Sequence, residues 1–261
     1  MDSVQKTLYI PLYTKAYVSK KGLFLRDSKA EEIWATEGFT LKGKSKSKWL
    51  AYYMGIRAAV FDDWVKTQLA QTPNATLIHI GCGMDSRVLR VNAERCFWYD
   101  VDFPQVIAER KRYFLETANY QMLAGDVRGE EWLENIPQTD HAIVVMEGVS
   151  MYLSEQELQT LITRLCTHFT GVSLLVDCYT PFGAKMSKYR NPVKDVGVTQ
   201  VYGLGDPAKL QQDGFICVGE REMTPIDYVN ELKGMEKFIF SKLYGGKLAK
   251  KVYRLYEYKT V

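Results

Sequence analysis

The feature that most constrains this chain is a break in a strand. The apolar run Leu77-Ile78-His79-Ile80 stops at Gly81-Cys82-Gly83-Met84-Asp85-Ser86-Arg87, and a helical pattern begins directly afterwards. Two glycines in a strand-to-helix turn carry no Cβ, so the backbone there can approach a ligand closely. A second strand pattern, Cys96-Phe97-Trp98-Tyr99-Asp100-Val101-Asp102, ends in carboxylates. It follows the glycines by about 20 residues, the spacing at which doubly wound α/β folds bring an acid to a ribose. The two elements together call for a parallel sheet and a nucleoside-containing cofactor.

The rest of the chain alternates in the same way. Strand patterns fall at Thr76 to Ile80, Cys96 to Val101, Gln121 to Ala124, His141 to Met146 and Val172 to Asp177, then at Phe215 to Glu220 and Val252 to Tyr258. Helical spacing or start signals fall at Arg87 to Ala93, Pro104 to Thr117, Glu130 to Asn135 and Ser154 to Thr170. Ser154 with Glu157 forms a capping box, and the last strand alternates like a half-buried antiparallel edge strand. Ahead of the sheet, Trp49, Tyr52, Tyr53, Ile56, Val60 and Trp64 recur every three or four residues, which predicts an amphipathic helix over residues 48–70. With 261 residues, 46% hydrophobic and 25% charged, the expected class is α/β. The expected architecture is a mostly parallel seven-stranded sheet with an antiparallel terminal strand, helices on both faces and an N-terminal helical cap. One domain is expected: residues 1–70 the cap, 71–180 the cofactor-binding core, 181–214 an insert, and 215–261 the strands and helix that complete the sheet.

Composition excludes several partners. A net charge of +3 is too small and too dispersed for a nucleic-acid binder. No apolar run reaches the roughly 18 residues of a membrane span, and Asp2 near the start argues against a secretory signal. Five cysteines with no CxxC pair fit a reduced, cytoplasmic protein without a zinc site. Oligomeric state is not readable.

The glycine loop discriminates between cofactors. A dinucleotide fingerprint has a third glycine where this chain has Ser86, and Asp85 places a negative charge where a pyrophosphate would sit. S-adenosylmethionine has no phosphate and carries an ammonium and a sulfonium, which suits an acid there. An NAD-dependent oxidoreductase, a non-catalytic cofactor-binding module and a βα turn with no ligand remain the alternatives. Along the sheet edge, Asp102 is positioned for the ribose hydroxyls, while Asp100 is expected to turn to the other face. Asp126 is placed to accept from an adenine amino group, with Val127 offering its amide. Glu147 is expected beside the methionine moiety.

These stretches resemble the leucine carboxyl methyltransferase group, which takes in the tetracenomycin-pathway polyketide O-methyltransferases. The resemblance rests on Gly81 to Arg87, on Tyr99-Asp100-Val101-Asp102-Phe103-Pro104 with Arg110-Lys111, on Gly125-Asp126, and on Glu147-Gly148-Val149-Ser150-Met151-Tyr152-Leu153. It covers most of residues 8–180 and implies a Rossmann-like class I methyltransferase fold with S-adenosylmethionine as cofactor. It further implies that Arg57, which by spacing alone reads as a snorkelling surface arginine, binds the methionine carboxylate from the N-terminal cap. Lys15 looks like the lysine of the group that approaches the same carboxylate or the substrate. Gly81, Cys82, Gly83 and Asp85 form the cofactor loop.

Methyl transfer from a sulfonium is an in-line displacement, governed by alignment and exclusion of water. A carboxylate acceptor needs no base at pH 7, whereas a phenol gains from one. No catalytic base stands out, because His79, His141 and His168 read as structural. Tyr152 is the one candidate for orienting the acceptor, a small molecule or a carboxyl group. The Lys42 to Lys48 run reads as a solvated loop, and Tyr189, Arg190 and Tyr202 as possible pocket residues of the Pro181 to Leu204 insert.

Overall fold

The computed structural model describes residues 3–38, 41, 43–91, 93, 95–190 and 200–261. Seven strands form one sheet: β1 (Thr76–Ile80), β2 (Phe97–Asp102), β3 (Tyr120–Ala124), β4 (His141–Met146), β5 (Gly171–Tyr179), β6 (Phe215–Arg221) and β7 (Tyr253–Thr260). Their order is β3-β2-β1-β4-β5-β7-β6, with β1 to β5 parallel and β7 antiparallel to both of its neighbours. β7 is therefore interior, not the edge strand its alternation predicts. β6 takes the edge, where Ile216 and Val218 stay exposed.

Helices cover both faces. The N-terminal layer is α1 (Ser3–Lys21), α2 (Ser28–Glu37) and α3 (Lys48–Gln71); α4 (Arg87–Arg90) and α5 (Pro104–Arg110) follow β1 and β2. The opposite face carries α6 (Glu155–His168), while α7 (Pro181–Arg190), α8 (Ile226–Glu231), α9 (Gly234–Tyr244) and α10 (Lys247–Lys250) come from the insert and the C-terminal part. All five residues of β1 are buried, as a strand covered on both faces must be. Period-two alternation sorts the sheet. Leu77, Trp98, Ile143, Val145 and Leu175 pack toward α1 to α3, and Ile78, Ile80, Val101, Val144 and Val176 toward α6.

Local signals explain the starts. Ser154 accepts from the Glu157 amide and the Glu157 carboxylate accepts from the Ser154 amide, the expected capping box. Asp27 caps α2 by accepting from the Ala30 amide at 2.8 Å. Gly55 lets α1 cross α3 closely, since a Cβ there would stand 2.9 Å from Val18. Three predicted helices are shorter than their patterns: α4 ends at Arg90, α5 ends at Arg110, and Leu133–Asn135 is one 3₁₀ turn. After α5 the chain turns through Lys111 to Tyr113, and Glu130 to Trp132 form a bend and turn ahead of the 3₁₀ turn.

Register fixes what the sheet presents. Ile80 pairs with Val101 on one side and Met146 on the other, and Met146 pairs with Val176. The next residues, Asp102, Gly81, Glu147 and Asp177, therefore stand at the same level along the sheet's carboxyl edge. Parallel α/β sheets bind ligands there.

Candidate functional site

The glycine turn is held by its own backbone and by one arginine. Gly81 (φ +65°) and Gly83 (φ +50°) lie in the left-handed region, and a Cβ on Gly81 would come within 2.2 Å of Val149 Cγ2. Arg110, fully buried and 4.0 Å from the Phe114 ring centroid, donates to the Gly83 carbonyl at 3.0 Å and to Asp100 at 2.5 Å. The Gly83 amide donates to Asp102 Oδ2 at 2.8 Å, and the Phe103 amide to Oδ1 at the same distance. Burial pushes the Asp102 carboxyl above its ordinary range despite these two donors.

Asp100 requires a correction. Residues 100 and 102 are two apart and share a face, as the Trp98 indole shows by donating to Asp100 at 2.8 Å. Asp100 is kept from the cavity because Trp98, Arg110 and Tyr120 consume its oxygens. Burial would raise its carboxyl, but Arg110, His79 and Tyr120 outweigh that and lower it to about 2.

A buried charge network continues from the turn into the N-terminal helices. Asp85 meets Lys15 at 3.1 Å, Arg90 at 2.8 Å and Arg87 at 3.4 Å. Arg87 also binds Asp62 at 2.7 Å and donates to Glu147, while Arg90 binds Asp27 at 2.6 Å and Asp62 at 2.7 Å. Arg57 pairs with Glu147 and with Asp177, each at 3.1 Å, and donates to the Tyr253 hydroxyl at 3.3 Å. The clustered cations hold Asp85 and Glu147 ionised against strong desolvation. Asp177 differs: burial outweighs Arg57 and the Gly148 amide, and raises its carboxyl to about 6. An arginine only donates, so Arg87 Nη1 at 3.0 Å makes His79 Nε2 an acceptor and leaves the ring proton on Nδ1, 3.4 Å from Asp100.

One cavity of about 1040 Å³ runs along this edge. Lys15, Arg57, Gly81, Cys82, Gly83, Asp85, Asp102, Asp126, Val127, Glu147 and Tyr152 all lie on its wall, so the structure brings these sequence-predicted residues together. Asp126 does so in an altered setting. Its carboxylate is taken by the Arg128 guanidinium at 2.9 Å and by the Arg128 amide at 3.0 Å, which depresses its pKa. Toward β5 and β7 the wall turns aromatic, with Tyr53, Tyr152, Tyr179, Tyr202, Tyr244 and Tyr253 beside Leu50 and Met54. Tyr179 meets Tyr253 with ring centroids 4.8 Å apart, and Tyr53 meets Tyr244 at 5.3 Å. Burial raises the phenols of Tyr53, Tyr152 and Tyr179, so they stay protonated and donate hydrogen bonds. Typical small-ligand pockets measure about 300 to 1,000 Å³, so this cavity has room for a nucleoside cofactor and a second molecule.

Sequence reading passes over Asp27, Asp62, Arg90 and Asp177. The first three act across helices and leave no local pattern. Asp177 had a signal, as the acid closing a predicted parallel strand. The side chains of Tyr189 and Arg190 and all of Lys42 lie outside what is described, whereas Tyr202 reaches the cavity. His141 faces Ser173 at 3.0 Å and His168 the Ile136 carbonyl at 2.8 Å, both as structural groups. The five cysteines are free thiols. Among the described residues no acid, cysteine and histidine cluster is arranged to hold a metal, and no helix is long and apolar enough to cross a membrane.

Residues 5–166 match the leucine carboxyl methyltransferase family. Over 243 residues the chain is 27% identical to the tetracenomycin polyketide synthesis O-methyltransferase TcmP of Streptomyces glaucescens, covering 92% of this chain and 90% of the relative. Over 234 residues it is 27% identical to the S-adenosyl-L-methionine-dependent methyltransferase dpfgK of Gibberella zeae, covering 81% and 78%. Among solved structures, the fold is similar to the magnesium protoporphyrin IX methyltransferase of Synechocystis PCC 6803 with bound S-adenosylhomocysteine (TM-score 0.52, 13% identity, 97% and 100% covered). It is also similar to a solved Thermobifida fusca protein (TM-score 0.60, 12% identity, 95% and 93% covered). At such identities this likeness is one of fold.

Proposed function

Since this chain belongs to the leucine carboxyl methyltransferase family and is an S-adenosylmethionine-dependent methyltransferase, we propose that it methylates an oxygen of a small molecule or a carboxyl group held in the tyrosine-lined part of the cavity. The observation that carries the cofactor assignment to these residues is the charge balance. Lys15, Arg57, Arg87 and Arg90 face five buried carboxylates, Asp27, Asp62, Asp85, Glu147 and Asp177. The network thus holds one negative charge in excess. S-adenosylmethionine, with an ammonium, a sulfonium and a carboxylate, brings one positive charge; a nicotinamide dinucleotide, with two phosphates and one pyridinium, brings the opposite sign. Desolvated charge of one sign calls for its complement.

The residues divide the work along the sheet edge. Asp102 accepts from the ribose hydroxyls, its position fixed by the Gly83 and Phe103 amides. Arg57 and Lys15 receive the methionine carboxylate, and Asp85 and Glu147 the ammonium. Gly81, Cys82 and Gly83 let the backbone come close, and Val127 and Asp126 flank the adenine, with Asp126 exchanging Arg128 for it. When bound, the cofactor supplies an electrophilic methyl group. The chain's part is then to align the acceptor oxygen, which Tyr152 does with a neutral hydroxyl, and to exclude water with Leu8, Leu12 and Leu50 of the N-terminal helices and with Tyr202.

Among the cavity-lining residues described, His79 and Glu147 have their acceptor atoms engaged by Arg87 and Arg57, and burial holds Tyr53, Tyr152, Tyr179, Tyr244 and Tyr253 neutral. That leaves little for a general base and favours an acceptor that arrives ionised, a carboxylate. A methyl-transfer assay over carboxylates, phenols and alcohols tests this. The expected result is turnover on a carboxylate with a rate independent of pH once the acid is ionised. Transfer confined to amines or carbon would refute it.

A further inference from the structure

Helix α9 is apolar where a surface helix is normally polar. Its inward side carries Phe240, fully buried, and Tyr244, which lines the cavity. On the outward side, Met235, Phe238 and Leu243 are 71%, 60% and 52% exposed, with Lys242 among them. Positions 235, 238, 239, 242 and 243 fall on one face at helical spacing. Ile226, in α8 just before it, is 61% exposed as well.

Charge is concentrated in the same place. Residues 232–251 hold six lysines (Lys233, Lys237, Lys242, Lys247, Lys250 and Lys251) and one acid, Glu236. That is a net of +5 in a chain whose total is +3, so the remainder is net −2. Glu236 does not offset the lysines of the outer face, because it is bound to Lys48 at 2.7 Å and to the Tyr52 hydroxyl at 2.9 Å. Lys242 lies 5.8 Å from the Phe238 ring centroid, its ammonium beside the apolar side chain. Large apolar side chains interleaved with lysines on one helix face are the pattern of an interfacial helix on an anionic bilayer.

We infer that the outer face of α9, with the lysines that flank it, docks on a negatively charged lipid surface. Absence of a spanning segment does not bear on such adsorption, which needs one helix face and no transmembrane run. Location gives the contact a consequence. Leu243 belongs both to the exposed face and to the cavity wall, next to Tyr244. A lipophilic acceptor dissolved in the bilayer therefore meets the tyrosine-lined end of the cavity without crossing water. An acidic protein partner is less well matched, because it would leave three bulky, exposed apolar side chains beside the lysines without an apolar counterpart.

Flotation of the full chain with vesicles of two-thirds phosphatidylcholine and one-third phosphatidylglycerol tests this, with pure phosphatidylcholine vesicles as reference. Binding to the anionic vesicles alone is expected, weakening steeply as salt screens it. Lys242→Glu is expected to lower the vesicle partition coefficient about tenfold, and Phe238→Asp by more, while titration shows S-adenosylhomocysteine binding unchanged in both. No flotation of the wild-type chain overturns the inference, as does unaltered flotation of both variants. Retention on immobilised poly-glutamate without flotation reassigns the face to an acidic protein. A dimer in sedimentation that Phe238→Asp dissociates reassigns it to a second copy.

Discussion

Replacing Asp102 with alanine separates the cofactor's interaction from the fold's. In the free protein this carboxylate accepts from the Gly83 and Phe103 amides at 2.8 Å each. Phe103 is exposed, so water replaces one of these bonds; the Gly83 amide is half-buried on the cavity wall. An unsatisfied buried donor costs about 1 to 3 kcal/mol, and removing a carboxylate that burial already disfavours returns part of it. A net loss of about 1 kcal/mol lowers the melting temperature by about 2 to 4 °C in a chain of this size. Binding suffers more. Charge-assisted bonds to the ribose hydroxyls contribute about 1.5 to 3 kcal/mol each. Losing even about 2 kcal/mol in total weakens the affinity about 30-fold, at 1.4 kcal/mol per tenfold. Calorimetric titration with S-adenosylhomocysteine measures this directly, with Asp126→Ala as comparison. Asp126 sits in a half-exposed pair with Arg128, so its loss should cost less than Asp102's. A folded Asp102→Ala protein with affinity within threefold of wild type would refute the ribose assignment.

Gly81→Ala places a Cβ 2.2 Å from Val149 and forces alanine to φ +65°, whereas at Gly83 the nearest contact is Leu8 at 3.4 Å. Thermal denaturation should show the Gly81 variant several degrees worse than Gly83→Ala, whose cost is backbone strain of about 1 kcal/mol; equal losses would contradict the packing account. For Asp177, burial lifts the folded-state pKa from 3.8 to about 6. Between these values the folded state binds more protons than the unfolded one, so this group's contribution to stability falls as pH rises through that window, by up to about 3 kcal/mol. Asp177→Asn should flatten the pH 4 to 6 slope of the melting temperature, and an unchanged slope would remove Asp177 as its source. Asp85, Glu147 and Asp100 have depressed pKa values, so they act at lower pH and with the opposite sign. Tyr152→Phe should raise the KM for the acceptor several-fold and leave cofactor affinity unchanged; a loss confined to cofactor affinity would make Tyr152 a packing residue for the cofactor.

Much of the fold is legible because parallel strands buried on both faces are nearly uninterrupted apolar runs, and β1 and β4 begin and end where their runs do. The acids of the site are legible for the same reason: strand ends in register share one edge, so Gly81, Asp102 and Glu147 can be placed from chain position alone. Asp100 shows the limit of that reasoning. Its fate depends on Arg110 and Tyr120, which approach from other elements and have no local signature. β7 was misplaced because alternation reports how much of a strand is covered, and a strand between β5 and β6 with one half-open face alternates like an edge. The pairing of Arg87 and Arg90 with Asp62 spans 25 and 28 residues of chain, beyond any helical or strand period. Arg57 reads by spacing as a surface residue; only the fold turns it inward, to Glu147 and Asp177.

Equilibrium titration of the wild-type chain with S-adenosylmethionine, with NADH in parallel, tests the central claim most directly. A cavity walled by a charge network with one negative charge in excess should take up the sulfonium compound at one equivalent with micromolar or tighter affinity, and leave NADH free. A folded protein that binds NADH, or that leaves S-adenosylmethionine unbound at millimolar concentration, would contradict it.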